Sequence, residues 1–275
     1  MSGTTERKWA HWTEPSWVEV DGLATAYRRK GAGEPLLFLH GAGLTRQWLP
    51  LYDALARTFD VIVPEHPGFG DTELPDWLET FDDLVLHYDA LLRTLGIERP
   101  HVVGHSLGGW TAAELAVFYP ERFASLTLIS AMGLRVPEAP AADPFRWSEA
   151  KAGEMLLNGV GEQYAEFLQQ DEEPLEQMLH EYGEGITFAR LTWNPRYDVR
   201  LDRRLGRLQT PTLVLHPADD NYIPVAHSER YAELIPGARL EVLDGQDGEP
   251  ASHVITIQQP ERIAALVAAH TAALA

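Results

Sequence analysis

A serine flanked by glycines, Gly104-His105-Ser106-Leu107-Gly108, is followed by two adjacent acids, Asp219-Asp220, and then by a loop histidine, His253. A serine hydroxyl becomes a nucleophile when an imidazole takes its proton. The imidazole in turn needs a carboxylate to orient it and to stabilise its charged form. Those three residue types, in that order, point to acyl transfer through a covalent intermediate.

Each group needs an element to hold it. A run with strand character, Arg99 to Val103, precedes the serine, and an Ala- and Leu-rich helical run over 107–118 follows it. Strand, sharp turn and helix make a nucleophile elbow, in which the serine takes φ > 0 and side chains at Gly104 and Gly108 would collide. The helix start also aims amides and a positive dipole end at the reacting centre. Upstream, the apolar run Leu36 to Leu39 ends in His40-Gly41-Ala42-Gly43. Such a turn can offer a backbone N–H to an oxyanion, here Ala42, with Leu107 as second donor. His40 reads as a structural hydrogen-bonding group. The strand Thr212 to His216 runs into the loop that carries the two acids, and Ser252-His253-Val254 lies after it. A further strand, Val61 to Pro64, enters the turn Glu65 to Thr72, where Glu65 and Asp71 read as structural.

These features together resemble the α/β-hydrolase-fold superfamily, from Trp17 to the C-terminus. The resemblance implies Ser106 as nucleophile, His253 as base, and the amides of Ala42 and Leu107 as oxyanion hole. The family's acid loop usually reads Gly-x-x-Asp-x-x-x-Pro. Setting its proline on Pro224 places the acid on Asp220, with Asp219 as runner-up. Pro217 then stands where the family has glycine, Ser252 where it often has glycine before the histidine, and Glu65 where it commonly has Asp. The implied activity is hydrolysis of a carboxylic ester or lactone, with no cofactor. Two rivals are weighed. Carbon–carbon hydrolases of the meta-cleavage type share the order, but an aromatic typically follows their histidine, where this chain has Val254. A non-catalytic binding module would usually lack a triad member. Relatives with an aspartate nucleophile are disfavoured by Ser106.

The remaining elements alternate strand and helix, the pattern of an α/β fold with a mostly parallel eight-stranded sheet and helices on both faces. An opening hairpin spans Trp17–Val20 and Leu23–Arg28. Strands are predicted near 35–40, 60–64, 101–105, 125–131, 211–216 and 239–243, and helices near 47–57, 81–95, 107–118, 225–234 and 260–273. The alternation stops over 133–208, a proline-rich then helical stretch. It is expected to be a cap inserted into a core of 1–132 and 209–275. Within it Asp171-Glu172-Glu173-Pro174 reads as a solvated helix start, and the arginines at 190, 196, 200, 203, 204 and 207, set among Asp198 and Asp202, read as a salt-bridged surface. Met132, Trp193, Ile223 and Val254 are the expected pocket residues.

With 275 residues, 45% of them hydrophobic, the chain can bury a large core. The absence of cysteine excludes disulfides and thiolate chemistry. A formal charge of −19 disfavours phosphate backbones and anionic lipid. His101 and His105 are four apart but fall across a strand and a tight turn, so a metal site is not expected there. No apolar run approaches the ~20 residues that span a bilayer, and the first residues lack the apolar core of a secretory signal. A cytoplasmic location is the expectation. The expected partner is a small-molecule ester or lactone rather than nucleic acid or membrane, and a homo-oligomer is left open.

Overall fold

The computed structural model describes residues 11–168 and 173–274, so the expectation about a secretory signal lies outside the described residues. One sheet holds eight strands: β1 Ser16–Val20, β2 Leu23–Gly31, β3 Pro35–Leu39, β4 Asp60–Pro64, β5 His101–His105, β6 Ser125–Ile129, β7 Thr212–Pro217 and β8 Arg239–Leu243. Their order is β1-β2-β4-β3-β5-β6-β7-β8. β1, β2 and β4 pair antiparallel, and all other neighbours pair parallel.

Side chains alternate across the sheet, so each central strand feeds two cores. Leu37 and Leu39 of β3 join Val102, Leu126 and Leu128 beneath α2 (Phe81–Thr94) and α3 (Leu107–Phe118). Leu36 and Phe38 join Val103, Ile129 and Leu213 on the other face, with α1 (Pro50–Ala56) and α10 (Pro260–Ala272). Parallel strands buried on both faces need continuous apolar runs, which is why β3, β5 and β7 stand out in the sequence.

Three boundaries differ from the sequence reading by two residues or more. β2 runs on to Gly31, because exposed Arg29 to Gly31 pair with β4 through backbone hydrogen bonds rather than burial, and a run of cations carries no apolar signal. β6 stops at Ile129 because Ser130 takes φ 45° and leaves the ladder. The first helix starts at Pro50, whose ring suits a helix's first turn.

Between β6 and β7 the described residues form α4 (Glu149–Leu157), α5 (Ala165–Leu168), α6 (Pro174–Thr192) and α7 (Leu201–Leu205), with two short 3₁₀ turns. α6 begins at Pro174, with Glu173 at the N-cap position but making no side-chain cap, while Asp171 and Glu172 lie outside the described residues. Leu201, Leu205 and Leu208 are buried in the same cluster as α2 and α3. The arginines of this region are largely paired: Arg200 with Asp198, Arg204 with Asp198 and Glu114, and Arg196 with Asp143, whereas Arg190 donates to the Leu78 carbonyl.

Glu114 on α3 yields a pH prediction. Burial pushes its carboxyl from 4.5 up to about 7, against the pull of Arg204 at 3.0 Å. An acid whose folded pKa is raised binds its proton more tightly in the native state. Its stabilisation is full below the unfolded value and is lost as pH rises through the folded one. Stability should therefore fall between pH 4.5 and 7, by up to about 3 kcal/mol from this group. Urea midpoints of the wild type and Glu114→Gln from pH 5.5 to 8 check it: the variant should show a flatter profile.

Candidate active site

Ser106 sits between β5 and α3 with φ 53° and ψ −112°, a conformation a non-glycine residue adopts only when its surroundings impose it. A Cβ at Gly104 would stand 2.3 Å from the Gly108 carbonyl oxygen, and one at Gly108 would stand 2.1 Å from that of Leu39. Both glycines are therefore required by close backbone approach. The Ser106 amide donates to Ile129 O (2.9 Å), and its carbonyl accepts from the Met132 amide (3.1 Å), which locks the turn to the end of β6.

The loop after β7 and the loop before α9 (Ile255–Gln258) bring the partners in. His253 Nε2 lies 3.0 Å from Ser106 Oγ, and Nδ1 lies 2.8 Å from Asp220 Oδ2. The other oxygen, Oδ1, accepts from the amides of Tyr222 (2.8 Å) and Ile223 (2.9 Å). Burial works to raise the Asp220 carboxyl, but facing His253, the hydrogen bonds from His253 and Ser130, and the Ile223 amide outweigh it and hold the group at about 2. Asp219 is turned away, its carboxylate accepting from the Ala251 amide at 3.0 Å. The loop closes through Asp220 N to Pro217 O, 3.3 Å, with no positive φ, so it needs no glycine at 217. Ser252 is held by Gln258, which accepts from both its amide and its hydroxyl.

Two groups escaped the sequence reading. Ser130 Oγ donates to Asp220 Oδ2 and lies 3.3 Å from His253 Nδ1. Reading residues 125–131 as one strand hid it; a polar residue one step past the end of β6, beside the acid-bearing strand, was the available signal. His105 Nε2–H donates to the His253 carbonyl at 2.9 Å. Burial first, and neighbouring His253 next, push His105 down to about 3, so it stays neutral.

The turn after β3 abuts the nucleophile: a Cβ at Gly41 would stand 3.2 Å from Ser106 Cβ. Ala42 faces the cavity, and Leu107 opens α3, where the first amides have no intrahelical acceptor. A chain of buried hydrogen bonds fixes this turn. Tyr88 donates to His66 Nδ1; His66 donates through Nε2 to the His40 carbonyl (2.7 Å) and through its amide to His40 Nε2 (3.0 Å); His40 Nδ1 donates to Gly41 O (2.6 Å). Both His40 nitrogens are thus engaged, and burial keeps its ring neutral. Leu44 and Arg46, both at positive φ, continue the loop toward α6. There Glu184 accepts from Thr45 Oγ1 (2.6 Å) and the Gly70 amide (2.9 Å), and Arg46 donates to His180 (2.9 Å). Glu65, the longer acid where Asp is common, still reaches the amide of Asp71 and pairs with buried Arg28 at 2.6 Å.

A cavity of about 530 Å³ opens over Ser106 and His253. The sheet side contributes Phe38, Leu49, Tyr52 and the Gly41–Leu44 turn, and the helical insertion contributes Trp147, Leu156, Leu157 and Phe188. Val254 lines it as expected, but the other three expected pocket residues do not. Met132 is buried, its sulfur accepting from the Tyr222 hydroxyl and its carbonyl from Tyr231. Ile223 is wholly buried in the core, and only its amide serves the site. Trp193, 62% exposed, lies at the end of α6 against Phe145. Among the described residues no group of three or more His, Asp or Glu is placed to hold a metal ion.

The alpha/beta hydrolase fold family profile matches residues 34–247, and the chain belongs to that family. It is a hydrolase in class. The 2-hydroxymuconate semialdehyde hydrolase of Pseudomonas sp. strain CF600 is 31% identical over 265 residues, 90% of this chain and 89% of the relative. Among solved structures, the esterase RhEst1 of Rhodococcus sp. ECU1013 has a TM-score of 0.75 at 22% identity, covering 94% of this chain and 98% of that one. The meta-cleavage product hydrolase CumD of Pseudomonas fluorescens IP01 has 0.73 at 24%, covering 93% and 96%. Similarity at that identity speaks for the fold alone. No helix among the described residues is long and apolar enough to cross a membrane.

Proposed function

We propose that the chain hydrolyses a carboxylic ester or lactone through an acyl-enzyme. His253, held by Asp220, takes the Ser106 proton, and Oγ attacks the acyl carbon. The amides of Ala42 and Leu107 receive the oxyanion, each worth about 3 kcal/mol in comparable sites. His253 then protonates the leaving alcohol, and a water, deprotonated by the same imidazole, releases the acid and restores Ser106. Residues 133–208 act as a cap that walls the substrate off from solvent.

The observation that carries the ester reading over its rival is the lining of the cavity. Among the described residues that form it there is no lysine or arginine. The relatives whose names specify muconate or dienoate substrates act on carboxylate-bearing compounds. A buried carboxylate needs a paired cation, and the described residues of this cavity offer no lysine or arginine. The carbon–carbon reading rests on those relatives' overall similarity. A panel of p-nitrophenyl esters of rising acyl length, lactones and a coloured ring-fission diketone separates the two. Esters or lactones should be turned over with kcat/KM at least an order of magnitude above the diketone. Faster bleaching of the diketone would reverse the assignment.

A further inference from the structure

Among the described residues the cavity wall carries one carboxylate outside the triad, that of Glu181 on α6, which is also open to solvent. Glu181 and Phe188 are seven residues apart, two helical turns, and so share the face of α6 that meets the cavity. The neighbouring polar groups of this helix turn elsewhere: His180 to Arg46, Glu184 to Thr45 and Gly70. Glu181 Oε1 accepts from the Gln177 side chain at 2.8 Å, a neutral partner on its own helix. Most of the rest of the wall is apolar or aromatic, with Trp147, Phe188 and Tyr222 among its rings; its polar groups, Thr256 and those around Ser106, carry no negative charge. An exposed carboxylate on the wall of a pocket with aromatic faces, with no lysine or arginine among the described lining residues, is complementary to an organic cation and repels an anion.

We infer that Glu181 is a charge-specificity determinant: it favours esters bearing an ammonium group away from the scissile bond over isosteric neutral esters, and those over anionic ones. This rests on the ester reading and narrows its substrate class. It adds no step to the reaction, because Glu181 acts on the substrate's remote end while Ser106, His253 and Asp220 act on the acyl carbon. His40 and His105, beside Ser106, stay neutral and add no cation to the cavity.

The test is a matched set of S-butyryl thioesters whose leaving thiols carry a trimethylammonium, a tert-butyl or a sulfonate group. A parallel p-nitrophenyl set carries the same charge variation on the acyl chain. The quantity read is the cation-to-anion ratio of kcat/KM in whichever set shows the larger ratio. Glu181→Gln should lower that ratio about fivefold or more, and Glu181→Lys should invert it. Glu176→Gln removes the same charge from an exposed site on α6 outside the cavity and should keep the wild-type ratio. An unchanged ratio in Glu181→Gln, or an equal shift in Glu176→Gln, would overturn the inference while leaving ester hydrolysis intact. Failure of the wild type to cleave any ester or thioester in the panel would instead overturn the reading beneath it.

Discussion

Ser106→Ala should lower kcat about a millionfold on any ester the wild type accepts, the scale seen when a serine nucleophile is removed from a comparable triad. The substitution deletes one hydroxyl, whose partner is His253 at 3.0 Å, and leaves the backbone hydrogen bonds of the elbow in place. Alanine meets the same strain at φ 53° as serine does, so the thermal midpoint should stay within a few degrees of the wild type. Kinetics and circular dichroism on one preparation check both halves. A variant that folds and keeps a tenth of the activity would show that the bond is broken elsewhere.

Asp220→Asn is expected to cost about ten-thousandfold in kcat, the loss produced by the same exchange in another Ser-His-Asp enzyme. The direction follows from the hydrogen bonds. Oδ1 accepts from two backbone amides, so an asparagine must keep its carbonyl oxygen there. Its NH₂ then faces His253 Nδ1 and the Ser130 hydroxyl, where a carboxylate oxygen accepted both protons. The imidazole relieves that clash of donors by moving its proton to Nε2, which leaves it unable to accept from Ser106. Asp219→Asn, by contrast, should stay within a few-fold of the wild type, since that side chain caps the Ala251 amide. Equal losses in the two variants would contradict the geometry. Nitrogen-15 spectra of the histidine ring would read the tautomer directly.

The sheet and its central helices were legible because burial on both faces writes itself as unbroken apolar runs, and because glycines bracket a turn whose backbone contacts no side chain survives. The position of Asp220 was legible by measuring back from Pro224, and it is the acid that reaches His253. Pocket membership was legible only at Val254. Met132 follows the strand that ends beside Ser106, yet its side chain turns to Tyr222; Trp193 ends the helix that walls the cavity, yet points to solvent. Which way a side chain faces at a strand end or a helix end depends on local twist and on partners far along the sequence. Ser130 was hidden for the same reason, since its φ of 45° redirects it out of the strand pattern. Glu181 carries no local mark either, being one of several acids on an exposed helix.

The contacts of α6 with the loop after β3 bear on how the enzyme could be re-engineered. One helix presents Glu181 and Phe188 to the substrate and, through Glu184 and His180, grips the strand-to-turn segment at Thr45 and Arg46 beyond Ala42. Recognition and turnover are therefore mechanically yoked. A relative's helix grafted here to change substrate range would have to bring acceptors for Thr45 and Arg46 with it, or selectivity would be gained with a slackened amide cradle.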